Sequence, residues 1–153
     1  MITIVIPTYN NLNYLKLCIK SIIKNSKYNH EIKLHINDGS DGTLEFAKEN
    51  NIFFTHSKTN IGLCSAINKV CSTVNKKYIL YAHDDMYFCP DWDESLVNEI
   101  KEIKHDNFFL SGTLIEAHSG HITFNCGDKF NNFDEGKLLN NYKSKNFYDY
   151  QGS

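Results

Sequence analysis

Three short polar clusters carry the residues best suited to chemistry: Thr8-Tyr9-Asn10, Asn37-Asp38-Gly39-Ser40 and His83-Asp84-Asp85. The adjacent carboxylates of Asp84 and Asp85 repel each other unless a cation is present. Hard divalent cations take oxygen ligands, commonly one or two carboxylates plus substrate phosphates. A cation held this way neutralises charge on a departing phosphate. The competing reading is a helix N-cap ahead of Pro90-Asp91-Trp92, where the helix dipole favours an acid. Asp38 can accept a hydrogen bond from a base N–H or a ribose hydroxyl, or it can cap a glycine turn together with Ser40. Tyr9 can stack on a base or sugar, or sit half-buried in a turn. His118 and His121 flank Ser119-Gly120 and could form a two-histidine metal pair, against the simpler expectation of a solvated hairpin end. The five cysteines, Cys18, Cys64, Cys71, Cys89 and Cys126, form no CxxC pair. They read as reduced, buried thiols of a cytosolic protein.

What each cluster can do depends on the element in front of it. Ile2–Ile6 is apolar throughout, as a parallel strand buried on both faces is, and Pro7 closes it. Asn10 and Asn11 offer caps for a helix over Leu12–Lys24, where Leu12, Leu15, Ile19, Ile22 and Ile23 form one stripe. The pattern then predicts a strand at Glu31–Ile36, a helix at Thr43–Asn50 and a strand at Ile52–Thr55. A helix at Leu63–Val74, a strand at Tyr78–Ala82 and a helix at Trp92–Ile103 follow. This alternation predicts an α/β fold with a mostly parallel sheet flanked by helices. Ligands in such sheets bind at the carboxyl ends of the strands. All three polar clusters follow strands, so they are expected to converge on one edge of the sheet. Beyond His105 the spacing predicts a strand at Phe108–Ile115, a hairpin turn at Ser119-Gly120, a return strand at His121–Phe124 and a helix over Glu135–Tyr142.

Composition excludes several classes. With 153 residues, 41% hydrophobic and 22% charged, the chain reads as one soluble globular domain. All 16 basic residues are Lys and the net charge is −2, which argues against a nucleic-acid binder. No apolar run reaches the ~18 residues that a transmembrane helix needs. The start lacks the basic n-region of a signal peptide. The expected location is the cytoplasm, with peripheral association at a membrane as the alternative. There is no GxGxxG and no Walker A pattern.

The residues resemble a family. Ile4-Val5-Ile6-Pro7-Thr8-Tyr9-Asn10, Asn37-Asp38-Gly39-Ser40-Asp41-Gly42-Thr43, Asn60-x-Gly62 with Ala66-x-Asn68, and Tyr78-Ile79-Leu80-Tyr81-Ala82-His83-Asp84-Asp85 leading to Pro90-Asp91 stand in the order of a family 2 glycosyltransferase with the GT-A fold. The His83-Asp84-Asp85 segment is most similar to the spore-coat polysaccharide synthesis type. The resemblance covers about residues 1–100. It implies a donor-binding region over 1–105 and the start of an acceptor-side region over 106–153 that stops short. It implies transfer of a sugar, with inversion, from a nucleotide-diphospho-sugar (a UDP-sugar first) to a carbohydrate or lipid-linked acceptor in polysaccharide or glycan biosynthesis. The implied cofactor is a divalent metal, Mn²⁺ or Mg²⁺.

Carried over by position, Pro7, Thr8, Tyr9, Asn10, Asn37, Asp38, Gly62 and Asp84 bind the donor nucleotide, and Asp85 coordinates the metal. Asp38 faces the base and Asp84 the ribose. Three departures stand out: Asn37 where many members carry an Asp, Ile67 where an Arg is common, and His83 in place of the first acid of a DxD motif. No residue between Ser111 and Ser153 matches the family's catalytic base; Glu116 and Asp128 are substitutes by position alone. The alternative expectation is therefore a donor-binding module that transfers sugar poorly by itself. The aromatic tail Tyr142–Tyr150 is a candidate surface for a homodimer.

Overall fold

A computed structural model describes residues 2–118 and 121–145. The chain divides into two compact units, Met1–Phe88 and Cys89–Ser153. The first contains β1 (Thr3–Tyr9), α1 (Leu12–Asn25), β2 (Glu31–Asn37), α2 (Thr43–Glu49), β3 (Phe53–Ser57), α3 (Leu63–Cys71) and β4 (Ile79–Tyr81). The strands form one sheet in the order β3-β2-β1-β4, and every neighbouring pair is parallel. The predicted α/β class and the predicted alternation of elements are both present. The chain moves outward from β1 to β2 and β3, then returns to the other side of β1 as β4. The carboxyl ends of β1 and β4 therefore flank a topological switch point, the usual location of a ligand crevice in open parallel sheets.

Pro7 sets the shape of that crevice. It was expected to close β1, yet β1 continues through it to Tyr9. The reason lies in the direction of the backbone groups. The Thr3 N–H donates to Tyr78 C=O and the Ala82 N–H donates to Val5 C=O, so odd-numbered residues of β1 bond toward β4. The N–H missing at Pro7 is thus on the β4 side only. The β1–β2 ladder continues to Tyr9 opposite Asn37, whereas the β1–β4 ladder ends at Val5 opposite Tyr81. β4 is consequently shorter than the predicted Tyr78–Ala82, and the chain leaves the sheet at His83.

Ile4, Val5, Ile6, Leu34 and Ile36 are fully buried, as expected for central parallel strands. α1 buries Leu15, Cys18, Ile19 and Ile22 at helical spacing. Each such aliphatic side chain contributes about 1.5–3 kcal/mol of transfer free energy. α3 packs across β1 and β2, where fully buried Ala66 and Val70 permit close approach.

The second unit holds α4 (Trp92–Glu102), β5 (Ile115–Glu116), β6 (Ile122–Thr123), a 3₁₀ turn at Phe130–Asn132 and α5 (Glu135–Lys145). Its buried residues include Ile122, Cys126 and Leu138. The predicted hairpin is corrected here, because β5 and β6 pair in parallel, Ile115 with Ile122 and Glu116 with Thr123. The N–H groups of Ile122 and Phe124 donate to Leu114 C=O and Glu116 C=O, a slanted pattern in which both bonds run the same way. The predicted strand Phe108–Ile115 forms only at its last residue. Residues 108–114 are not in a strand, and Phe109 is 92% exposed. The proposed turn Ser119-Gly120 and the tail beyond residue 145 lie outside the described residues. Asp91, not the Asp84-Asp85 pair, occupies the N-cap position of α4.

Candidate functional site

The three polar clusters do meet. A cleft of about 330 Å³ opens at the carboxyl ends of β1, β2 and β4. Pro7, Thr8, Tyr9, Asn10, Asn37 and Asp84 line it, all of them expected from the sequence. Asp38, Gly62 and Asp85 stand outside this lining. His83 joins the lining from its polar cluster; Asn11 and Leu63 line the cleft without having been singled out for it, as do Asn60 and Tyr81 from the quoted motifs. Strand parity was the available signal for Tyr81. It stands two residues before His83, so an extended chain carries both to one side as it leaves β4. Their rings lie 5.0 Å apart between centroids, and Tyr81 Oη is 2.9 Å from His83 Nε2.

Asp84 is the best-held carboxylate of the site. Thr8 Oγ1 donates to its Oδ2 at 2.6 Å, and Asn11 Nδ2 donates to its Oδ1 at 3.0 Å. Burial pushes the Asp84 carboxyl above its ordinary value. The Thr8 and Asn11 hydrogen bonds work against that, and the Asp85 charge adds to it. These bonds show that Asp84 braces the ends of β1 and β4 and does not cap a helix. Asp85, next in the chain, is exposed.

At the end of β2, Asp38 and Gly39 take left-handed backbone conformations, with φ of 58° and 82°. A Cβ on Gly39 would come within 2.8 Å of Leu44 Cγ and 2.9 Å of Ile36 Cγ2, so the turn requires glycine there. Asp38 Oδ2 accepts from Asn10 Nδ2 at 2.9 Å and from Ser40 Oγ at 3.2 Å. Asn37 is buried, and its Oδ1 accepts the Ile61 N–H at 3.0 Å, tying the end of β2 to the loop before α3. Gly62, at φ 80°, occupies the N-cap position of α3, and its N–H donates to Asn60 Oδ1 at 2.9 Å. Tyr9 is 52% exposed at the cleft, with its ring open to a stacking partner.

The donor set suits a hard divalent cation in one respect: Asp84 and Asp85 offer carboxylate oxygens only. Among the described residues no group of three His, Cys, Asp or Glu side chains forms a metal cluster. A cation at Asp84-Asp85 would therefore need further oxygens from another source, as sites completed by substrate phosphates do. His118 and His121 have different polar partners. His118 Nε2 lies 3.8 Å from Asp128 Oδ2, while His121 Nδ1 accepts the Leu114 N–H at 3.4 Å. Among the described residues no helix is long and apolar enough to cross a membrane.

The chain is similar to several known proteins. The model of the family "Glycosyl transferase family 2" matches residues 3–153. Glycosyltransferase GlyA of Streptococcus pneumoniae is 33% identical over 111 residues, which cover 69% of this chain and 16% of GlyA. Among solved structures, S. aureus TarS 1–349 in complex with UDP superposes with a TM-score of 0.59 at 19% identity, over 66% of this chain and 32% of that one. The mannosyltransferase PcManGT of Pyrobaculum calidifontis, in complex with GDP-Man and Mn²⁺, gives a TM-score of 0.54 at 16% identity, over 65% and 31%. The chain thus spans less than a third of the TarS structure's length and under a fifth of GlyA. The family match over nearly the whole chain and the shared sheet architecture lead to one conclusion: the chain belongs to glycosyltransferase family 2.

Proposed function

We propose that the cleft binds the nucleotide of a nucleotide-diphospho-sugar, a UDP-sugar first, and that the chain serves sugar transfer to a carbohydrate or lipid-linked acceptor in polysaccharide or glycan biosynthesis. The observation that carries this reading is the convergence of Thr8, Asn10, Asn37 and Asp84 from three separate strand ends at one cleft, with Asp38 held by Asn10 beside them. Tyr9 offers its exposed ring to the base. Asp38 accepts from a base N–H, and Asp84 accepts from the ribose. Pro7, Asn37 and Gly62 shape the backbone around them. The UDP complex of TarS and the GDP-Man and Mn²⁺ complex of PcManGT support the ligand class.

Asp85, with Asp84 beside it, would hold a Mn²⁺ or Mg²⁺ ion, which when bound supplies positive charge for the diphosphate leaving group. The protein's own contribution is to fix the carboxylates and to orient the nucleotide against them, so that binding energy is not spent on ordering the site.

Calorimetric titration of UDP with and without Mn²⁺ tests the reading, on the wild-type chain and on Asp85→Ala, with GDP and dTDP as comparisons. Wild-type binding of UDP strengthened by Mn²⁺ is expected. Asp85→Ala should lose about tenfold or more of that strengthening while keeping its fold. Failure of the wild-type chain to bind any of the three nucleotides, with or without Mn²⁺, would overturn the proposal.

A further inference from the structure

We infer that Asn10 and Asn11 act as a pair of positioning residues, one amide orienting the carboxylate at the end of β2 and the other the carboxylate at the end of β4. The ligand contacts of those carboxylates rest on the nucleotide-binding reading above; the clamping geometry does not.

Asn10 has φ 47°, in the left-handed region, and so ends the extended run of β1. Asparagine tolerates this conformation better than most residues. Across the bend, two consecutive side chains reach different strand ends. Asn10 spans the turn after β2. Its Nδ2 donates to Asp38 Oδ2 at 2.9 Å and to Ser40 Oγ at 3.3 Å, and its Oδ1 accepts the Gly39 N–H at 3.0 Å. Asn11 goes the other way and donates to Asp84 Oδ1 at 3.0 Å, while Thr8 holds Oδ2.

Asn11 occupies the N-cap position of α1 yet makes no side-chain bond to that helix. An N-cap asparagine ordinarily spends its side chain on its own helix. Here Asp41 Oδ2, from another segment, accepts the Leu12 N–H at 2.8 Å, and the Asn11 side chain turns to Asp84 through its Nδ2. Neither carboxylate is saturated. An ionised carboxylate accepts at about four positions. Among the described residues Asp84 receives two side-chain donors and its own backbone N–H, and both side-chain donors to Asp38 meet at Oδ2. Each asparagine thus immobilises one carboxylate and leaves it room for a ligand.

The test is a crossed comparison on the whole chain with Mn²⁺ present, using UDP, 2′-deoxy-UDP, 3′-deoxy-UDP and CDP. CDP lacks the N3–H that a base-facing carboxylate would accept. Wild type should prefer UDP over CDP and over at least one deoxy analogue. Asn11→Ala should lose about tenfold of the ribose preference and keep the base preference. Asn10→Ala should do the reverse. Thr8→Val should behave like Asn11→Ala, and Thr8→Ser should restore the ribose preference; this pair reports on the same carboxylate should Asn11→Ala fail to fold. Equal weakening toward all four nucleotides, or unchanged ratios, would overturn the positioning roles while leaving nucleotide binding intact. A wild type that binds UDP but shows neither preference overturns them too. A wild type that does not bind UDP overturns both this inference and the reading beneath it.

Discussion

A single carboxylate, Asp41, organises the start of two helices. Its Oδ2 accepts the Leu12 N–H at 2.8 Å. Its Oδ1 accepts the Thr43 N–H at 3.1 Å and the Thr43 hydroxyl at 2.6 Å. Burial pushes the Asp41 carboxyl up, but the Thr43 and Leu12 hydrogen bonds outweigh it and hold the group below its ordinary 3.8. A carboxyl depressed in the folded state contributes stability that is present above its unfolded value and is lost as pH falls through the folded one. Asp41→Ala should therefore cost about 1–2 kcal/mol near neutral pH. The gap from wild type should close in acid, below the ordinary 3.8. Urea denaturation of both proteins at neutral and at acidic pH measures it. A gap independent of pH would mean that Asp41 acts through packing instead. At this scale the sequence marked Asp38 and Asp84 as candidates from their place after strands, and the structure puts each at a strand end. The sequence could not show that Asn11 serves Asp84 while Asp41 serves α1, because a helix cap supplied from another segment leaves no local spacing to read.

Periodicity located every helix and strand of the first unit, and the errors are at the ends. α3 stops at Cys71, short of the predicted Val74. β1 runs on through Pro7 because the lost N–H falls on only one of its two ladders. The sequence puts Ala66, Ile67, Val70 and Val74 on one side of the predicted Leu63–Val74 helix; Ala66 and Val70 are fully buried, whereas Ile67 and Val74 are half-buried. With α3 packed across β1 and β2, Ala66→Leu should overpack that contact and cost about 1–3 kcal/mol. A thermal melt should show this as a lower midpoint, and an unchanged midpoint would mean that α3 lifts off the sheet at little cost. In the second unit both helices, α4 and α5, form where they were expected, and only the strands differ. β5 and β6 are two residues each, too short to show alternation, and strand direction is not encoded in a two-residue stretch.

Over the whole molecule, the reading of all five cysteines as buried thiols holds only in part. None is in a disulfide, Cys18 and Cys126 are buried, and Cys64 is exposed. Cys18 lies on α1 with its Sγ 3.5 Å from the carbonyl oxygen of His83. Burial first, then the charges of Asp84 and Asp85, push this thiol up to about 12. Mild alkylation of the native chain at pH ~8, near the ordinary thiol value, should label Cys64 early and Cys18 only once the chain unfolds. Mass spectrometry of timed samples reads the order. Early labelling of Cys18 would show that the His83 segment opens in the native state.

The sequence by itself determined the alternation of strands and helices, the placement of polar residues after strands, and the family motifs. All three are local patterns, set by backbone geometry, side-chain period and turn chemistry within a few residues. Tertiary structure alone decided the strand order β3-β2-β1-β4, the parallel direction of β5 and β6, and the partner of each polar side chain. Thr8 and Asp84 are 76 positions apart and Asn10 and Asp38 are 28 apart. Which carboxylate each donor reaches depends on how separate strands stack into one sheet, a global packing outcome that no window of neighbouring residues contains.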